Sequence, residues 1–358
     1  MPQIVHVDRS NLAAAALVHQ DLPPLADGAV RLAVQSFAVT ANNVTYAMAG
    51  DMLGYWNFFP APEGRGVVPM WGHAVVVESN HAEIAPGERV HGYLPMGTHF
   101  DVQPTKVSPG QFIDAAAHRQ PMSPIYNTYS RLAADPEHDP AREAERMLFG
   151  GLFKTGFLIE AMFRRDNWHG AQALIVTSAS SKTALGLASV ARASSPSILR
   201  IGLTSPRNVA FVAKTGLYDQ VIAYDALEGL PKIPSVAVDF AGDAALLAHV
   251  HRALGAGLAY SCLVGMTHVG AGGASGGEPA PGPTPVFFFA PDHASASIRE
   301  LGPKGFAKAV AERWRAFLSE TDRVMRVDER PGLGAARDAF VATFKGEADP
   351  AVGIIVRP

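Results

Sequence analysis

The feature that most constrains this chain is a ladder of six short apolar runs between residues 173 and 291: "ALIVTS", "ILRIGLTS", "QVIAYD", "SVAVDFAG", "YSCLVGMT" and "VFFFAP". Helical patterns such as "KTALGLASVARA" and "DAALLAHVHRAL" fill most of the gaps between them. A run that is apolar on both faces can leave neither in water, so the alternation predicts a parallel sheet buried between two helix layers. The first 125 or so residues read differently. "AVRLAVQSFAV" and "HAVVVESN" carry β-branched residues at strand spacing, and "APGERVHGYLP" sets a Pro-Gly turn before another strand. Between the two regions lies "RLAADPEHDPAREAERM", polar and charged, where Asp139 followed by Pro140 resembles a helix cap with proline in the first turn. The last 40 residues return to strand and turn character and are expected to rejoin the first region.

Length and charge narrow the partners. At 358 residues the chain is long enough for two domains, taking roughly 150 residues each as the prior. Its 30 basic and 33 acidic side chains give a net charge of -3, so no overall field draws it to nucleic acid or an anionic membrane, and a small-molecule partner is expected. No run approaches the roughly 18 apolar residues of a membrane span. The single cysteine, Cys262, excludes an internal disulfide and a thiolate-rich zinc cage. Together with an N-terminus lacking a targeting pattern, this predicts a cytoplasmic protein. "GAGGASGGEPAPGPTP" offers nothing to bury and is expected to be a flexible loop.

"TSASSKTALG", residues 177 to 186, sits where the first run hands over to a helix. A helix N-terminus presents unpaired amides and a partial positive charge, an anion site in itself. Ser178, Ser180, Ser181 and Thr183 add hydroxyls and Lys182 a full charge. The stretch fails the P-loop pattern, since "KT" lacks its glycines, and it fails the S-x-x-K nucleophile pattern because residue 179 is Ala. It reads as a phosphate site or as a plain helix cap. The second run ends in Ser205, Arg207 and Asn208, with no acid before Asp219. Arg with small polar residues at that position accommodates the 2'-phosphate of NADP, whereas an acid would hold the NAD ribose. The expected cofactor is therefore NADP(H).

Over its whole length the chain resembles the medium-chain dehydrogenase/reductase superfamily, nearest its zinc-free quinone oxidoreductase and enoyl reductase branch. "NNVTYAMAG" resembles that branch's substrate-side loop, "APGERVHGY" its "G-D-R-V" turn, and "GLTSPRNVAFVAKTGLYDQVIAYD" its second βαβ step, including Tyr224 near the adenosine. "YWNFFP", "SASSKTA" and "GLTS" together resemble a bacterial subfamily without an assigned function. The resemblance implies an α/β protein: a GroES-like β-rich domain from residues 1–126 and 319–358, and a Rossmann doubly wound parallel sheet from 127–318, with a nicotinamide cleft between them. Two departures stand out. "ASSKTA" replaces the superfamily's "A-x-G-x-x-G", so side chains must substitute for close backbone approach, and Asn43 stands near where the branch often carries Asp.

"MWGHAVV" resembles the "G-H-E" of zinc alcohol dehydrogenases at His73, with Ala74 in place of Glu. A catalytic zinc needs three protein ligands, and no metal is expected. His249 and His251 lie on different faces of one helix and read as solvated. Hydride transfer leaves charge on the acceptor, which a phenol can hydrogen-bond and neutralise. Tyr46 is the first candidate for that role, with Asn43 orienting the acceptor oxygen. Tyr126, Tyr129 and Thr155 are further candidates, Thr155 being grouped with the cofactor-binding residues. Tyr55, Trp56, Phe58, Phe59 and Trp71 line a substrate cleft or pack as a barrel insertion or dimer contact. The resulting reading is an NADPH-dependent, metal-free reductase of a quinone or a carbonyl-conjugated alkene. Its rivals are a nucleotide-binding sensor or structural protein without turnover, and an enzyme of another class in the same cleft. "VFFFAP", as the last strand of the sheet, predicts a homodimer through its edge.

Overall fold

A computed structural model describes residues 1–120, 122–264 and 281–358. Most of "GAGGASGGEPAPGPTP" therefore lies outside the described residues. The chain divides into two compact units, Met1–Leu148 with Val327–Pro358, and Phe149–Arg326.

The first unit begins with β1 (Gln3–Asp8), β2 (Asn11–His19), β3 (Val30–Val39) and helix α1 (Ala41–Met48). It continues through β4 (Arg65–Gly66), β5 (Pro69–Ser79), β6 (Arg89–Pro95), β7 (His99–Val102), β8 (Pro104–Thr105) and β9 (Gln111–Asp114), then the short helix α2 (Pro124–Asn127) and β10 (Thr128–Arg131). Helix α3 (Glu143–Arg165) carries the chain into the second unit. There follow β11 (Ala173–Val176), α4 (Lys182–Ser194), β12 (Leu199–Thr204), α5 (Val209–Thr215), β13 (Gln220–Ala223), β14 (Ser235–Asp239), α6 (Ala244–Leu254), β15 (Leu258–Leu263), β16 (Val286–Phe287) and α7 (Ala290–Thr321). The chain closes with β17 (Arg326–Pro331), α8 (Gly332–Phe344) and β18 (Val352–Arg357).

In the first unit β2, β1 and β4 form a small sheet, and a larger one runs β17-β18-β3-β5-β6-β10-β9-β8, with β7 also on β3. The register sets Trp71 opposite Tyr93 and His73 opposite His91. Because side chains alternate along a strand, these four share one face of the β5–β6 pair. Two segments read as loop or turn are helices. "NNVTYAMAG" contains α1, whose buried Asn43, Tyr46 and Ala47 recur at helical spacing. The C-terminal stretch contains α8, which buries Leu333, Ala336, Ala339 and Phe340 and packs on β2, β18 and α1. Its two early glycines and absent cap residue disguised it.

The second unit holds a six-stranded sheet in the order β13-β12-β11-β14-β15-β16, every neighbouring pair parallel. In sequence terms this is third, second, first, fourth, fifth, sixth, the doubly wound order with its reversal between β11 and β14. Ile175, Ile201, Leu203, Ala237 and Val250 pack in one buried cluster. Helices α3 and α4 approach closely at Gly156, where an added Cβ would stand 2.5 Å from the backbone nitrogen of Leu187; only glycine fits there. His251, expected in solvent, is fully buried. One ring nitrogen meets the Pro281 carbonyl at 2.9 Å and the other the Ser261 hydroxyl at 2.8 Å, so both are satisfied inside the fold. His249 is exposed as expected.

Candidate functional site

Where strand order reverses, the loops leaving adjacent strands run to opposite faces and leave a crevice at the strands' carboxyl ends. The turn out of β11 forms one wall of it. Ser178 adopts φ of +46°, the left-handed region that glycine usually occupies. Its N–H donates to the Tyr224 hydroxyl at 2.9 Å, the Ala179 N–H to the Leu203 carbonyl at 3.0 Å, and the Tyr218 hydroxyl to the Ala179 carbonyl at 3.1 Å. Two tyrosines thus hold a turn that lacks its glycines. Ser181 is the N-cap of α4, its Oγ accepting from the Ala184 N–H at 3.3 Å. Ser180 Oγ accepts from Asn208 Nδ2 at 3.2 Å and keeps its own proton to donate. Lys182 and Thr183, both partly buried, occupy the first turn of α4, whose amides have no partner within the helix itself.

The structure therefore gathers Ser178, Ser180, Ser181, Lys182, Thr183, Asn208 and Tyr224 around one turn. Ser205 and the exposed Arg207 belong to the same short 3-10 segment as Asn208. Thr155 stands apart on α3, its hydroxyl donating to the Gly151 carbonyl at 3.0 Å within its own helix. Two residues that sequence reasoning passed over close the other wall. Buried Thr177 donates to buried Asp239 at 2.5 Å, and both accept amides from residues 240–242. Burial raises the Asp239 carboxyl, an effect opposed by the Thr177 hydroxyl. An Asp ending an otherwise apolar strand was the available signal.

In the first unit, Tyr46 is almost fully buried on α1. Its hydroxyl accepts from Asn42 Nδ2 at 2.5 Å and from the Trp71 indole N–H at 3.1 Å. Both lone pairs are then engaged, and the phenolic proton is left as the group it can offer. Burial raises its pKa well above the ordinary phenol value, so it stays protonated at neutral pH. The ring packs on Tyr55 at 4.7 Å and edge-on to Tyr93 at 5.3 Å, while the Tyr55 and Tyr126 hydroxyls lie 3.1 Å apart. Asn43 has a different job. Its Oδ1 accepts from the Thr40 N–H at 2.7 Å and its Nδ2 donates to the Pro69 carbonyl at 2.8 Å, which fastens α1 to β5. Trp56 is buried, and Cβ atoms added at Gly50 or Gly66 would fall 2.1 Å and 2.3 Å from its ring. Tyr55, Phe58 and Phe59 are buried with it, and the Arg119 guanidinium lies over Phe59 at 4.7 Å. Tyr129 belongs to this packing, accepting from Arg119 and donating to the Tyr93 carbonyl at 2.7 Å.

His73 is fully buried with no hydrogen-bond partner for either ring nitrogen. Burial holds its pKa down to about 4 against the pull of Glu143, whose Oε2 lies 3.9 Å from Nδ1. Burial pushes the Glu143 carboxyl up, but the Arg89 fork at 2.8 and 2.9 Å and His138 at 2.8 Å hold it down to about 2. Among the described residues no three His, Cys, Asp or Glu side chains are grouped to hold a metal ion.

A family model described as a protein of unknown function, DUF2855, matches residues 37–349. The chain belongs to this family. No curated protein matches it. Solved structures resemble this DUF2855 chain across its length. CurA from Vibrio vulnificus in complex with NADPH has a TM-score of 0.63 at 18% identity, covering 100% of this chain and 99% of that one. A quinone oxidoreductase of Pseudomonas syringae pv. Tomato has a TM-score of 0.57 at 15% identity, with 100% of both chains covered. A mutant enoyl thioester reductase from Candida tropicalis has a TM-score of 0.54 at 11% identity, covering 100% and 99%. At such identities the likeness is one of fold: a GroES-like unit and a Rossmann unit, as in medium-chain dehydrogenase/reductases.

Proposed function

We propose that this DUF2855 chain is an NADPH-dependent, metal-free oxidoreductase that reduces a quinone or a carbonyl-conjugated alkene. The observation that carries the reading is the hydroxyl-lined turn of Ser178–Thr183, set at the reversal point of a doubly wound sheet whose fold neighbours include an NADPH complex. The residues fit a dinucleotide. Ser180, Lys182 and Thr183 at the start of α4 would hold the pyrophosphate, and Ser205, Arg207 and Asn208 the 2'-phosphate. When bound, the nicotinamide supplies a hydride. Tyr46 is the group proposed to donate a hydrogen bond to the acceptor oxygen. Asn42 and Trp71 supply donors to its oxygen, so its own proton is left to donate, and burial keeps that proton in place at neutral pH. The metal-free part rests on the donor set, a buried Cys262 and no three-ligand group among the described residues.

A second reading, cofactor binding without turnover, is favoured by Asn43, which is buried and whose amide is engaged by Thr40 and Pro69. Loss of NADPH absorbance with a panel of quinones and enones supports the first reading. Tight NADPH binding with no consumption across that panel supports the second. The proposed assembly is a homodimer through β16, an edge strand whose Val286 and Phe287 are exposed. Sedimentation showing only a 37.9 kDa species would reject it. The proposed compartment is the cytoplasm.

A further inference from the structure

The loops leaving β11 and β14 flank the reversal point, and one buried pair ties them together. Thr177 and Asp239 are the residues at the carboxyl ends of these adjacent parallel strands, both almost wholly inaccessible. The Thr177 N–H donates to the Val238 carbonyl at 3.1 Å, continuing the strand pairing by one residue. Its hydroxyl donates to Asp239 Oδ1 at 2.5 Å and accepts from the amides of Phe240 at 2.9 Å and Ala241 at 3.1 Å. The Asp239 carboxylate in turn accepts from Ala241 through Oδ1 and from Gly242 through Oδ2, both at 3.1 Å. Three consecutive amides are thus gathered by two side chains, and the chain is turned away from the sheet at Gly242, with φ of +66°. Asp243 then caps α6, accepting from Ala245 and Leu246.

We infer that Thr177 and Asp239 are positioning residues that fix the 240–242 loop against the β11 turn and so set the width of the dinucleotide crevice. The inference rests on the NADPH reading above. A doubly wound sheet takes its dinucleotide across the reversal, the adenosine half on the side of the second strand and the other half on the side of the fourth. The pair therefore governs the nicotinamide half. The adenosine half meets the turns at Ser178–Thr183 and Ser205–Asn208, which Thr177's hydroxyl does not touch.

The test is a set of binding titrations on the full chain, with NADPH and with 2',5'-ADP, which presents the adenosine half alone. Thr177→Val removes the hydroxyl with little change of shape. It takes away the bond to Asp239 and the two from Phe240 and Ala241, and is expected to weaken NADPH by at least roughly tenfold and to change 2',5'-ADP less than about twofold. Thr177→Ser keeps the hydroxyl and is expected to restore NADPH affinity, a rescue that general loss of packing would not give. If Thr177→Val binds NADPH as wild type does, or loses both ligands equally, the inference is overturned. Wild-type protein that binds 2',5'-ADP and NADPH not at all overturns the NADPH reading itself, and the inference with it. Asp239→Asn, which cannot accept from Gly242 through its amide nitrogen, should repeat the Thr177→Val pattern.

Discussion

His73 makes the stability of the first unit depend on pH in a way that can be worked from its surroundings. The ring is fully buried, neither nitrogen has a partner, and burial holds its pKa down to about 4 from 6.5. Below pH 6.5 the unfolded chain takes up a proton that the folded chain refuses. The folded state thus keeps its full advantage above that pH and loses it as pH falls toward about 4, with no further loss below. The gap sets a ceiling of about 3 kcal/mol at about 1.4 kcal/mol per pKa unit. Between about pH 7.5 and about pH 5, the same two pKa values give a loss of about 2 kcal/mol. His73→Leu removes the titration while keeping an apolar side chain in the site. Urea denaturation of both proteins at the two pH values isolates the contribution, since all other histidines are shared. The expected result is that the stability difference between wild type and variant moves by about 2 kcal/mol in favour of the variant at the lower pH. A difference that stays constant within about 0.5 kcal/mol, small against that figure, would mean that the ring titrates normally or finds a partner, and the reasoning fails.

Three further outcomes are expected. Lys182→Ala should weaken NADPH and NADP+ alike and flatten the salt dependence of binding, because the pyrophosphate is common to both; unchanged affinity and slope would leave the turn as a helix cap only. Arg207→Ala should erase a preference for NADPH over NADH of roughly 1.5 to 3 kcal/mol, read by fluorescence titration, and equal wild-type affinities for the two cofactors would refute it. Trp56→Ala should cost roughly 3 to 5 kcal/mol by chemical denaturation, since the ring fills the space kept open by Gly50 and Gly66; a loss below about 1 kcal/mol, well short of that range, would show that the site collapses around the cavity.

How much was legible from sequence differs between the two units, and the reason lies in where each kind of information is stored. The parallel sheet was readable because β11, β12 and β14 are apolar on both faces, a property each run carries alone. The Asp139 cap was likewise local, its carboxylate accepting from Ala141 two residues away. Helix α1 was not readable, since its propensity is modest and its stability comes from burying Asn43, Tyr46 and Ala47 and from the bond to Pro69, 26 residues on. The same holds for His251, which pattern alone placed in water and which Ser261 and Pro281 satisfy inside. At the candidate site the sequence named the residue types of the turn out of β11, because hydroxyls, a lysine and a strand-to-helix junction are adjacent in the chain. It could not show that Tyr224 and Tyr218 would replace the missing glycines, or that Thr177 and Asp239, 62 residues apart, would join the two walls of the crevice. Local chemistry is written in neighbouring residues. The pairing of buried polar groups is decided only when folding removes their water and leaves the protein as the one partner they can find.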